Sequence, residues 1–392
     1  MQEFIHLMVV RLRNLQNKTI DAKLFNLMYL IVLLILNLSC VEKKSTGKEV
    51  STSELQSVSK TDTLKFGSGM RAIFQDSKSN YWFGIHNGGV SRYDGNTFKY
   101  ITTKEGLLDN QIRSIEEDKN GNILIGNAKG LSIYDGQKFT NYSTKINEPI
   151  FEWNETDGDE WFYAGEEGGI NRFDGKNMHF LIFPKPKNEN PDNSYGANFL
   201  IFAKPKNQNP DHSYGVTDIS KDKNGKVWIA TYAALFNYDG KIVNLFGHKN
   251  LNLKYNERLH IRSVLADSKG RIWIGNNGIG VLLMDGDVII NFSEKNNLIH
   301  PTSTRRGDKS QTGTLEHVFA IEEDSQGNIW FGDRDTGAWK YDGETMTNYI
   351  IDNKLSTPMI WTIYNDQNNN LLFGMAGGGV YKFTGKTFER QF

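Results

Sequence analysis

Arginines, histidines, indoles and amides recur at matching places along this chain of 392 residues. Arg71, Arg113, His260, Arg262, His317 and Trp361 stand at or beside the start of short alternating segments. His86, Glu166, Tyr232, Asn276, Asp333, Arg334 and Met375 stand where apolar runs end, and Trp153 opens a more diverged stretch. Guanidinium and amide groups bond hydroxyls and anions, while aromatic faces pack on C–H surfaces, so the set suits a polar, glycan-like ligand. Each residue taken alone has a second reading, as an ordinary packing contact.

Catalytic signatures are missing. There is no nucleophile elbow, HExxH pair, Walker A loop or dinucleotide fingerprint. His86, Glu166, His260 and His317 could still supply acid–base groups if the fold gathered them. His248, His260, His300 and His317 lack metal-ligand spacing, so no metal site is expected. The run from Asp118 to Gly121 looks like a calcium loop, but it lacks the distal glutamate and recurs elsewhere, which makes it a hairpin turn. The single cysteine, Cys40, excludes an intramolecular disulfide and any CxxC site. Lys and Arg total 45 against 46 Asp and Glu, so no basic footprint for nucleic acid exists. No cofactor is expected.

The elements that must position these residues are seven copies of one unit, starting near residues 70, 112, 151, 216, 261, 318 and 360. Each copy has four short segments, here A to D. Segment A alternates, as in Ile112–Ile115, and ends in Asp-x-x-Gly, where Asp bonds nearby amides and Gly takes positive φ. Segment B is a continuous apolar run, such as Ile329–Phe331, as expected of a strand buried on both faces. Segment C runs into Tyr-Asp-Gly, and segment D carries an aromatic such as Phe98 or Phe139. Trp82, Trp161, Trp228, Trp273 and Trp330 share one slot, with Leu124 and Leu372 in the other two copies. The pattern predicts an all-β fold, a seven-bladed β-propeller with four antiparallel strands per blade, over residues 62–392.

The pattern D-x-x-G-x-I-W-I-G followed by G-L-x-x-Y-D resembles the two-component regulator propeller repeat over about residues 66 to 392. That resemblance implies an extracytoplasmic sensor or binding role. The larger sensors of this kind carry a membrane span, a kinase and a DNA-binding domain after the propeller, and none of these is expected of this chain. Propellers of similar repeat also include streptogramin lyases, which implies a channel-face lyase or hydrolase as the alternative. A pure interaction scaffold is the third reading.

The Tyr-Asp-Gly glycines or their equivalents fall at 95, 136, 175, 240, 286, 343 and 385, so the extra length follows segment D. Those D–A connections and the B–C loops should share one face, a candidate binding rim. The longest insertion holds a tandem duplication, 180–196 and 199–215, read as a tolerated surface loop or as a flap or added hairpin over the channel. The ring should close by packing, with 387–392 as the outer strand of blade seven and 62–66 against an edge.

Residues 24–38 are almost wholly apolar and follow Arg11, Arg13, Lys18 and Lys23. This reads as a secretory signal over residues 1–40. Cys40, preceded by Leu38 and Ser39, resembles a bacterial lipobox cysteine, with Asn37 departing from the pattern; a plain signal anchor is the other reading. Residues 41–61 read as a flexible tether. The combined expectation is a monomeric lipoprotein, lipid-anchored in the bacterial envelope or periplasm, that binds a glycan-like small molecule or an envelope protein.

Overall fold

The computed structural model describes residues 60–61, 64–65, 69–150, 153, 159–164, 168–183, 214–254, 257–305 and 307–392. Glu166, Cys40, the segments 1–40 and 41–59, and most of the tandem duplication lie outside them. Among the described residues no helix is long and apolar enough to cross a membrane.

Seven antiparallel sheets follow one another in chain order. Their first strands are Met70–Gln75, Ile112–Glu117, Val216–Lys221, Ile261–Ala266, Val318–Glu323 and Ile360–Asn365 in blades one, two, four, five, six and seven. In each of these blades the chain passes directly to strands B, C and D. Blade three shows Glu160–Tyr163, Gly169–Phe173 and Met178–Ile182; its segment A, read from Phe151, falls mainly outside the described residues. Lys60–Thr61, read from sequence as the end of the tether, instead pairs with Phe98–Ile101 as a fifth strand of blade one.

The described first strands of neighbouring blades contact one another, including that of blade seven against that of blade one, and Glu160–Tyr163 of blade three meets the first strands of blades two and four, so the ring closes. They line the central channel. Closure comes from packing, because Phe388–Arg390 completes blade seven and pairs only with Val380–Phe383. Phe392 then sets its ring among Tyr81, Phe83, Tyr93 and Phe98 of blade one, 4.9 to 6.1 Å between centroids.

Each blade junction has its own apolar cluster. Trp82 packs against Ile112 and Ile123 of the next blade, Trp273 against Val318 and Phe331, and Trp330 against Ile360 and Phe373. Tight approach of neighbouring first strands needs a small residue near the end of strand B. A Cβ on Gly84 would lie 2.6 Å from Ile112, and one on Gly374 would lie 2.7 Å from Met70.

The Asp-x-x-Gly turn does more than reverse the chain. Asp324 Oδ1 accepts the amides of Gln326 and Asn328 at 3.0 and 2.9 Å, and Oδ2 accepts the Trp330 indole N–H at 2.8 Å. Asp76 and Asp267 hold Trp82 and Trp273 in the same way, each at 2.8 Å. Where leucine fills the slot, Asn122 and Asn370 donate their side-chain amides to the turn carboxylates of Asp118 and Asp366. In blades one, five and six the recurrent tryptophan therefore has its one polar atom satisfied by the turn that starts its own strand, whereas the Trp161 indole N–H of blade three has no partner.

Candidate functional site

The first strands carry the feature that builds the site. In all six described first strands the register with strand B slips between the first and third residues. This is a β-bulge, which frees the second residue from the pleat and re-aims its side chain. The six bulge residues are Arg71, Arg113, Thr217, Arg262, Phe319 and Trp361. All six line one channel cavity of about 330 Å³, joined by Tyr163 and Tyr232. That volume is within the range of small-molecule sites. The B–C loops meet the starts of the first strands, as where the His86 amide donates to the Gly69 carbonyl. The bulges therefore open on the face that carries the long insertions.

The three guanidinium groups are each set over an aromatic ring. Arg71 lies 4.4 Å from the Trp361 centroid, Arg113 lies 4.5 Å from Tyr163, and Arg262 lies 4.5 Å from Phe319 and 5.4 Å from Tyr232. Stacking fixes the guanidinium planes and leaves their edges free to bond. The Nε of each of the three is buried and has no hydrogen-bond partner. Burial, together with the charges of Arg113 and Arg262, pulls Arg71 down to about 9. Burial also lowers Arg262.

His86 packs edge-on against Trp361, 5.4 Å between centroids. Burial and the three nearby arginines hold it down to about 4, so it is neutral at ordinary pH. His260 packs edge-on against Tyr232 at 5.3 Å, and burial, then Arg262, hold it down to about 3.

Further along the same strands the lining changes sign. Glu116, Asp218 and Glu322 also line the cavity. Glu116 and Glu322 stand three residues past their bulges, roughly 10 Å along the strand. Glu116 is exposed to the lumen, and the protein wall around it raises its carboxyl to about 7, with Glu160 adding. Burial raises Glu322 to about 8 and Asp218 to about 6. Asp218 is partly offset by accepting the amides of Ile219 and Val264, both at 2.9 Å.

Of the residues picked out by sequence, the structure gathers Arg71, His86, Arg113, Tyr232, His260, Arg262 and Trp361 at this mouth. It places Asn276, Asp333 and Met375 elsewhere. These end their B strands and are fully buried at the blade junctions. Strand alternation turns them inward and leaves the next residue at the face. Asp333 is a loop organiser, whose carboxylate accepts the amides of His317, Asp335 and Thr336. Burial raises it to about 6. Met375 packs in the cluster between blades six and seven. Trp153 is also core, stacked on Trp161 and donating to the Ile182 carbonyl at 3.1 Å.

His317 and Arg334 anchor an insertion rather than pointing free. His317 Nδ1 is 2.7 Å from Asn277 Oδ1 and its Nε2 is 2.7 Å from the Asp308 carbonyl. Arg334 bonds Asp335 and the carbonyls of Gly307 and Asp308. The connection before blade six is braced to the one before blade five by Arg305, which pairs with Glu257 and Glu294. Among the described residues no group of three or more His, Cys, Asp and Glu side chains is gathered to hold a metal.

Sequence reasoning missed Tyr163, Asn277, Phe319 and the carboxylates Glu116, Asp218 and Glu322. A signal existed for Glu116 and Glu322. An acidic residue on the channel face of an alternating inner strand is such a signal, although the adjacent Glu117 and Glu323 turn away to bond Ser77 and Ser268.

Profiles of the two-component regulator propeller match residues 106–129, 212–233, 257–278 and 313–335. No curated protein matches the sequence. Among solved structures, an extracellular domain assigned to a hybrid two-component system of B. thetaiotaomicron is 19% identical, with a TM-score of 0.56. The match covers 81% of this chain and 39% of that one, so this chain spans about two fifths of its length. A second extracellular domain from that organism, assigned to a one-component system, is 18% identical, with a TM-score of 0.53 and the same coverage. Virginiamycin B lyase from Staphylococcus aureus is 12% identical, with a TM-score of 0.57, covering 83% of this chain and 98% of that one. At these identities the structural likeness is one of fold, while the four profile matches rest on the turn and core residues of the repeat itself. The chain is a seven-bladed β-propeller, four stretches of which match the two-component regulator propeller repeat.

Proposed function

We propose that this chain is an extracytoplasmic ligand-binding propeller whose ligand enters the channel mouth on the insertion face. The observation that carries this reading is the ring of bulge residues. Six strands each give up a backbone pairing to aim a side chain at one cavity, which a purely structural ring does not need. A small polar molecule of glycan-like size suits about 330 Å³. The apolar run with its preceding basic residues, and Cys40, support export and a lipid anchor in the bacterial envelope. The likeness to extracellular domains points the same way. A monomer that docks an envelope protein on the same rim belongs to this reading.

The test is thermal shift with a panel of mono- and disaccharides and their acids. A ligand at 100 times its Kd should stabilise by about 2.7 kcal/mol. Thr217→Trp fills the mouth from blade four and should abolish the shift. A shift that survives T217W would place the ligand elsewhere.

A second reading, a channel lyase or hydrolase, draws on one observation. Glu116 and Glu322 are carboxyls held near neutrality in the channel, as general acids are. Turnover of any bound ligand that is lost in Glu322→Gln with binding retained would establish it.

A further inference from the structure

We infer that the ligand is an anion, and that Arg71, Arg113 and Arg262 form an oxyanion-binding ring at the channel mouth. This rests on the channel being the ligand site.

The argument begins with the charge balance. Three guanidinium groups share one cavity, and among the described residues none of the three is in an ion pair. Arginine does not shed its proton in proteins, so the repulsion is relieved only by water, by the aromatic faces or by an anion. Elsewhere the same chain pairs several of its part-buried arginines with acids, while Arg92 lies over Trp82 and bonds Asn80. Arg271 bonds Asp267 at 2.6 Å and Arg334 bonds Asp335 at 2.6 Å. At the mouth three such groups share one space; of the acids lining the same cavity, Asp218 is one residue past its bulge with both oxygens accepting backbone amides, and Glu116 and Glu322 lie roughly 10 Å deeper.

Geometry points to the chemical class. The aromatic faces that would stack on a neutral sugar are already covered, Trp361 by Arg71, Tyr163 by Arg113 and Phe319 by Arg262. The guanidinium groups themselves line the lumen, while their three unpartnered Nε atoms are buried from solvent. A planar fork of N–H donors matches two oxygens of one carboxylate, sulfate or phosphate. The arginines come from blades one, two and five, so they approach the axis from different sides. The hydroxyl of the bulge residue Thr217 is also buried without a partner. The site is therefore built for a compact oxyanion near the channel axis, on an acidic sugar or on a free anion.

Isothermal titration of the full chain with galacturonate, glucose 6-sulfate, inorganic phosphate and the uncharged parents galactose and glucose separates the sources. At least one oxyanion should bind, its uncharged parent at least tenfold more weakly, and the affinity should fall as salt rises. Arg113→Gln should weaken binding at least tenfold, with an unchanged circular dichroism spectrum and melting temperature showing that it still folds. Phosphate binding as tightly as the sugar acids would still support the ring and assign recognition to the anionic group alone. Uncharged parents binding equally well, with Arg113→Gln silent, would overturn the anion site while leaving the channel as the ligand site. No oxyanion bound at millimolar concentration would also overturn it.

Discussion

Arg71 of blade one lies over the ring of Trp361 of blade seven, 4.4 Å from guanidinium carbon to centroid. One contact thus belongs both to the seam that closes the ring and to the mouth of the channel. Trp361→Ala should lower stability by about 1 to 2 kcal/mol, since the indole is only half-buried and its N–H has no partner. The same change should loosen Arg71 and weaken binding of any channel ligand. Trp361→Phe should recover most of the stability but less of the binding, because the smaller ring holds the guanidinium less firmly. Denaturant midpoints and titration of the three proteins check this.

Phe392 should matter more than a terminal residue usually does. Its ring touches four aromatic rings of blade one. Phe392→Ala should cost about 2 to 3 kcal/mol, toward the low end for aromatic truncation because the ring is partly exposed. A chain ending at Gly385 loses this contact and strand Phe388–Arg390 together, and should melt lower still. An unchanged melting temperature for that truncation would refute the seam described here.

Asp324→Ala removes the acceptor of two backbone amides and of the Trp330 indole. The cost should be about 2 to 4 kcal/mol, read from the shift in denaturant midpoint. Asp118→Ala should cost less, because blade two has Leu124 in the tryptophan slot and no indole N–H to strand. The ordering of the two variants is the test.

The channel carboxylates set a pH dependence. Glu322 is raised to about 8 from an ordinary 4.5, and Glu116 to about 7. A raised acid holds its proton more tightly when folded, so its stabilising contribution is fully present below the unfolded value. It is lost as pH rises through the folded value. Melting temperature should therefore fall between roughly pH 6.5 and 8, above the unfolded value of histidine, and Glu322→Gln should flatten that fall. Anion binding should weaken over the same interval as the acidic layer gains charge. His86 and His260, held down to about 4 and 3 from an ordinary 6.5, bind protons more tightly when unfolded, so their contribution grows with pH up to about 6.5 and opposes the carboxyl effect below that value. Titrations at three pH values in wild type and E322Q check both effects.

Much of the fold was legible because its signals are local. The Asp-x-x-Gly turn, the apolar B run and the tryptophan slot each repeat within a few tens of residues, and among the described residues the structure realises the turn in six blades, with Ser79 and Asn369 taking the glycine's positive φ in blades one and seven. The site was legible only in part. Arg71, Arg113, Arg262 and Trp361 could be picked out by their place in the repeat. Asn276, Asp333 and Met375 were misplaced by one residue, because a strand end reverses facing with each step. The bulge that re-aims the second residue leaves no mark in composition. The pairing of Arg71 with Trp361 joins the two ends of the repeat array, and no local pattern announces that.

The seam also sets an order of events. Gln75 donates to the Tyr364 hydroxyl across a separation of 289 positions, whereas most blade contacts lie within one repeat. Joining such distant residues carries the largest loop-closure cost, so the last junction to form should be this one. The binding mouth spans it. A molecule bridging Arg71 to Arg113 and Arg262 would act as a clasp, and occupancy would report that the circle is complete.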